Sequence, residues 1–194
     1  MMRPPSLRRA PSPRQLVAFP GWGPRWILPV VPACCRLRPV SEAYIVQPGA
    51  GRNLDLGTFE AVVLASAAQT SGEFTLLQTQ SEPPDFGPPL HIHHDAAEAF
   101  YVLSGEYLMY VEDWQEHCAP GTFVYVPRGI PHTFKVVSAG PARKLNIFAP
   151  AAMVGFFEEL AEAESSGQAT PERLAAIATH NHMEIVGPIP DAYL

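Results

Sequence analysis

From Glu42 onward the chain alternates short runs of β-branched and aromatic residues with Gly, Pro and Ser, at intervals near ten residues. This is the punctuation of an all-β domain. The predicted strands are Ala43 to Gln47, Thr58 to Ala65, Glu73 to Thr79, Leu90 to His94, Glu98 to Leu103, Tyr107 to Val111, Thr122 to Val126, His132 to Val137 and Arg143 to Phe148. Turn chemistry at Ser104-Gly105, Ala119-Pro120-Gly121 and Ser138 to Pro141 separates several of them. Strands in this number, so spaced, predict a double-sheet jelly roll.

Beyond Pro150 the apolar period changes. Phe156, Phe157 and Leu160 fit one helix face, and Thr170-Pro171-Glu172 supplies an N-cap hydroxyl, a first-turn proline and a first-turn acid ahead of Leu174 and Ile177. Two short helices are expected against the outside of the sheets. Met183 to Val186 can add a last strand or extended arm.

The first 40 residues follow neither pattern. They hold nine of the 22 prolines and seven arginines, and no acidic residue precedes Glu42. Proline at this density blocks helix and sheet alike, so a disordered extension without a biochemical role is expected there. The organisation predicted is an Arg/Pro-rich extension over 1–40, a jelly-roll domain over 41–150 and a helical extension over 151–194, packed on the barrel.

Charge divides at the same boundary. The whole 194-residue chain carries a formal −6, but six basic residues face all 19 acidic ones from Ser41 on, a formal −13. An acidic body argues against nucleic acid as a partner. No apolar run approaches the roughly 18 residues of a membrane span. Cys34, Cys35 and Cys118 form neither a spaced disulfide framework nor a CxxC metal motif, which fits a reducing, cytoplasmic setting.

The candidate chemistry lies between Gly87 and His132, which holds five of the seven histidines. In a strand, His91 and His93 project from the same face. Glu98 opens the next strand after four residues, so an antiparallel return can bring its carboxylate beside that pair. His132 begins the strand that follows the Pro127 to Pro131 turn and shares a face with Phe134 and Val136. Three imidazoles and one carboxylate suit Fe(II), Mn(II), Ni(II), Co(II) or Zn(II), with no thiolate to favour a soft metal. Phe100 and Val102 share parity with Glu98, as Phe134 does with His132, making the three candidate pocket residues. Tyr101, Tyr107, Phe123 and Tyr125 are open between pocket and opposite face, because one bulge reverses parity. His94, His117, Cys118, Arg128, His180 and His182 are read as surface or packing residues.

Two segments resemble the signature motifs of the cupin superfamily. His91, Ile92, His93, the four-residue gap, Glu98, the six-residue gap and Gly105 follow the form HxH(x)3-4E(x)6G, and Gly121, Pro127, Gly129 and His132 follow G(x)5PxG(x)2H. Two departures stand out: three residues rather than five separate Gly87 from the HxH, and Val136 occupies the place of an asparagine. Both bear on turn geometry and the pocket wall rather than on the ligand set. Within the superfamily, the run from Pro88 to Gly105, VPRGIPHTFKV and FAPAAMVGFFEELA look like single-domain quercetin 2,3-dioxygenase-like proteins. The resemblance implies a cupin jelly roll with His91, His93, Glu98 and His132 as ligands of one divalent transition metal per chain, iron foremost. It implies small-molecule substrate and dioxygen as partners, and a homodimer. In such dioxygenases the ligand carboxylate, here Glu98, takes the proton of a flavonol hydroxyl, and ring opening by dioxygen releases carbon monoxide. A metal-dependent isomerase and a non-catalytic small-molecule-binding cupin are the alternatives.

Overall fold

The computed structural model describes residues 42–190. The Arg/Pro-rich extension expected over 1–40, with Cys34 and Cys35, lies outside them. Eleven strands and two helices follow in order: β1 (Arg52–Asp55), β2 (Glu60–Ala65), β3 (Thr75–Gln80), β4 (Leu90–His93), β5 (Ala97–Ser104), β6 (Tyr107–Val111), β7 (Trp114–Cys118), β8 (Phe123–Val126), β9 (His132–Val136), β10 (Arg143–Ala149), α1 (Val154–Ser165), α2 (Pro171–His180) and β11 (Met183–Gly187). The strands form a six-stranded sheet, β1-β2-β3-β10-β5-β8, and a five-stranded sheet, β11-β4-β9-β6-β7. Described neighbours pair antiparallel, and the two sheets give the expected jelly roll.

Alternation sets the inward faces. On β5, Glu98, Phe100 and Val102 are buried while Tyr101 is exposed, and on β9 His132, Phe134 and Val136 are buried. β10 is less obvious: Lys144, Asn146 and Phe148 point inward, and Leu145 and Ile147 occupy the half-buried outer face. Register fixes these rows against each other, with Lys144 opposite Val102, Asn146 opposite Phe100 and Phe148 opposite Glu98.

Two glycines are demanded by space. A Cβ on Gly87 would stand 2.0 Å from the Phe134 carbonyl oxygen, so the chain entering β4 can lie against β9 only without a side chain. Gly105, at φ +74° in the turn from β5 to β6, would drive a Cβ to within 2.6 Å of Ala142 Cβ.

Three strand expectations are corrected. Ala43–Gln47 forms no strand: Ile45 is 84% exposed, and its β-branched composition finds no partner among the described residues. β1 and β7 were not expected. In β7 the first four residues are exposed, so this edge strand lacks the buried face that hydrophobic alternation detects. It pairs with β6 through a two-residue hairpin, Glu112-Asp113, in which Glu112 takes the left-handed conformation without a glycine.

The helices also differ from expectation. α2 begins as the sequence implied, with Thr170 Oγ1 accepting from Arg173 N at 3.2 Å and Pro171 in the first turn. α1, however, does not clad a sheet from outside. Phe156, Phe157 and Leu160 pack into the cluster that contains the inward residues Leu77 and Phe148. They close the space between the sheets, because that end of the interior would otherwise leave those apolar side chains wet. A second cluster, including Phe100, Val102, Met109, Val124 and Phe134, fills the remaining interior.

Candidate metal centre

His91 and His93 project together from β4, and the β4 to β5 connection returns the chain so that Glu98 faces them. His132, at the head of β9, is the register partner of His91. Gly129 N donates to His93 O at 2.8 Å, which ties the Pro127 to Pro131 turn to β4 and sets where β9 starts. The four residues are 1–6% exposed, and one ligand atom from each lies within 4.8 Å of the others. Among the described residues this is the one such group of His, Cys, Asp and Glu.

Hydrogen bonds orient the imidazoles. His91 Nδ1 donates to Pro89 O at 2.7 Å and His132 Nδ1 to Ile130 O at 2.8 Å, which leaves each Nε2 as the inward lone pair when the ring is neutral. Glu98 Oε2 lies 3.0 Å from both His93 Nε2 and His132 Nε2. A bare imidazole lone pair facing a carboxylate oxygen at that distance is repulsive unless a proton or a cation lies between them. His93 Nδ1 is buried without a partner. The donor set therefore fits a borderline divalent cation and could hold one.

The shifts of His91 and Glu98 both favour the deprotonated form. Burial, then repulsion from His132 and His93, lowers His91 to about 3. Burial alone would raise Glu98, but hydrogen bonds with His132 and His93 hold it well below the usual carboxylate range.

His91, His93 and Glu98 line a cavity of about 290 Å³, with His132 behind them in the same group. Phe100 and Phe134 line it, as do Phe148 and the α1 side chains Phe156 and Phe157. Val102 does not line it and is enclosed in the core cluster, although Lys144, its register partner on β10, does. Asn146 was missed from sequence. It donates from Nδ2 to Glu98 Oε1 at 3.0 Å, and its own Oδ1 is buried without a partner. The available signal was the parity of β10, where polar Lys144 and Asn146 share a face with Phe148, yet apolar Leu145 and Ile147 suggest the opposite face as the inner one.

The remaining candidates fall elsewhere. His94 pairs with Glu184 at 2.9 Å, His180 with Glu159 at 2.8 Å and His182 with Asp95 at 3.1 Å, all on the surface. Cys118 is a buried core residue whose thiol is raised by burial, and Arg128 is exposed. Tyr101, Phe123 and Tyr125 face outward, and Tyr107 is fully buried. No helix among the described residues is long and apolar enough to cross a membrane.

Comparison with known proteins adds to this geometry. Residues 79–148 match the family described as the cupin domain. A quercetin 2,3-dioxygenase of Bacillus subtilis (strain 168) is 25% identical over 119 residues, which cover 61% of this chain and 35% of that protein. The chain thus matches a minor part of that relative's length. Among solved structures, KdgF from Halomonas sp. superposes with a TM-score of 0.50 at 13% identity, over 56% of this chain and 94% of that one. An RmlC-like cupin from Shewanella frigidimarina NCIMB 400 gives 0.49 at 17% identity, over 58% and 95%. At 13% identity the likeness to KdgF concerns the fold alone.

Proposed function

Taking as premise that this chain carries a cupin domain, we propose that it is a metal-dependent oxygenase of quercetin 2,3-dioxygenase-like type, acting on an aromatic or polyphenolic hydroxyl compound. The observation that carries the proposal is the buried His91, His93, Glu98 and His132 group, of which His91, His93 and Glu98 line a cavity otherwise built mainly of apolar side chains. These four residues would hold one divalent transition metal, iron first, with manganese, nickel, cobalt or zinc as alternatives. When bound, such an ion supplies Lewis acidity toward a substrate oxygen and, where its redox chemistry allows, reactivity toward dioxygen.

The chain's own residues supply the rest. Asn146 fixes one oxygen of Glu98 at 3.0 Å, while the other faces His93 and His132. Glu98 also lines the cavity, so it can take the proton of a substrate hydroxyl presented there. Phe100 and Phe134 offer flat walls to an aromatic ring, and the α1 phenylalanines keep bulk water from the same space. Outside the barrel, Tyr101 stands opposite Phe123 on the edge strand β8, with Tyr125 two residues on. That exposed aromatic stripe supports a second copy of the chain as partner.

The test is dioxygen uptake by purified protein offered flavonols, catechols and keto-enols. Uptake with any of them, lost in Glu98→Gln, is expected. No uptake with all three classes would replace the oxygenase reading with an isomerase or binding function.

A further inference from the structure

The cavity has a second polar pole that this proton transfer does not use. Lys144 is 1% exposed and Glu82 is fully buried, and both line the cavity with Thr79. Lys144 lies two residues before Asn146 on the inward face of β10, so its Cα stands roughly 6.5–7 Å from that of Asn146. The two poles are thus about one strand repeat apart, with the Phe100 and Phe134 rings along the same interior.

The bonding at this pole is lopsided. Glu82 accepts from Lys144 Nζ at 2.5 Å on Oε1, and from Tyr107 Oη at 2.5 Å and Thr79 Oγ1 at 3.0 Å on Oε2. Its carboxylate therefore has three donors. The ammonium has three N–H groups, one of them given to Glu82, and sits 3.8 Å from the Phe134 ring centroid and 5.1 Å from that of Tyr107. Ring faces attract a cation but leave room for a conventional acceptor.

Stability alone is a poor reason for such a pair. Burying two charges costs free energy that apolar residues of similar size avoid, and the surrounding core is apolar. Burial also holds the Lys144 ammonium below the ordinary lysine range, against the upward pull of Glu82. Among the described residues, Lys144 is the only lysine or arginine lining the cavity.

We infer that Lys144 is a specificity-determining residue, donating to a second oxygen acceptor (carbonyl, phenolate or carboxylate) carried by an aromatic substrate about one bicyclic ring length from the oxygen that faces His91, His93 and Glu98. The inference rests on the proposed function to the extent that it treats this cavity as the substrate's. It selects, within aromatic hydroxyl compounds, those with a polar group at the far end.

The experiment compares 2-naphthol with 6-hydroxy-2-naphthoate, by calorimetry on the full chain, with metal content measured on the same sample. The carboxylate is expected to tighten binding about ten-fold or more, as a charge-assisted hydrogen bond does. In Lys144→Met combined with Glu82→Gln, which leaves neither charge alone, that advantage should fall to near one while 2-naphthol binds as before. An advantage that survives the double variant, or equal affinities in the unaltered protein, overturns the inference. Should the double variant not fold, 6-hydroxy-2-naphthaldehyde reads the same assignment in the unaltered chain. A lysine amine and the aldehyde condense to an imine with loss of water, and borohydride reduces the imine to a stable secondary amine. The chain has two lysines, Lys135 and Lys144. Label on Lys144 is expected; label on Lys135 alone, or none, overturns the inference. Failure of the oxygenase reading is separately visible, as absent metal or absent dioxygen uptake with the naphthoate selectivity intact.

Discussion

Asn146 Nδ2 donates to Glu98 Oε1 at 3.0 Å, from a strand that carries none of the four clustered residues. The contact uses one carboxylate oxygen and leaves the other toward the imidazoles, so β10 sets the rotation of Glu98. Asn146 acts through Glu98 and is a positioning residue. Replacing Asn146 with Leu removes a hydrogen bond to a charged group, about 1.5–3 kcal/mol, which corresponds to a fall of about ten- to a hundred-fold in kcat. Metal content and KM should hold. A merely structural role would instead lower the melting temperature without this split between kcat and KM, as steady-state kinetics and thermal melts on one preparation would reveal.

Acid should destabilise the metal-free protein in two stages. His91 is held at about 3 in the fold by burial and by His132 and His93, while an unfolded histidine titrates near 6.5. Between those values the unfolded chain binds a proton that the folded chain refuses, so stability falls as pH drops below about 6.5. Glu98 adds a second stage. Its folded pKa is depressed, so its stabilisation is present above the unfolded carboxylate pKa and is lost as pH falls below about 4.3 toward the folded value. Melts between pH 7 and 2.5 should show a steady decline, flattened in its upper part by His91→Gln. A melting temperature that is flat or rises toward acid would contradict these ionisation states.

Phe148 joins the metal-site wall to the helical cap. Its ring meets His93 edge-on at 5.4 Å and Phe157 at 6.5 Å, and it is 1% exposed. Phe148→Ala should cost about 3–5 kcal/mol of stability through the cavity it leaves. Urea unfolding measures this directly; a loss below about 1 kcal/mol would mean that α1 collapses freely onto the gap.

The legible parts of this protein are those governed by strict alternation. His91, His93, Glu98 and His132 could be grouped from spacing because a strand's period is two and the connection after His93 is short. α2 was legible because Thr170, Pro171 and Glu172 are local signals that need no tertiary partner. Composition misled where burial and hydrophobicity diverge. Ala43–Gln47 has strand-like residues but no neighbouring strand, whereas β7 has a neighbour but exposes Trp114 through His117. On β10 the inner face is the polar one, which hid Asn146 and Lys144. Val102 has the parity of a wall residue, but parity does not say which side chains cover it, and Val102 is enclosed in the core cluster. The place of α1 depended on a long-range apolar contact with Phe148 and Leu77 that no local pattern encodes.

Metal analysis of the purified full chain bears most directly on the four-residue centre. Close to one divalent transition metal per chain is expected, falling below about a tenth of that in a variant with both His91 and His93 changed to Ala. Protein that stays metal-free after reconstitution, or a double variant that retains its metal, would contradict the assignment of His91, His93, Glu98 and His132.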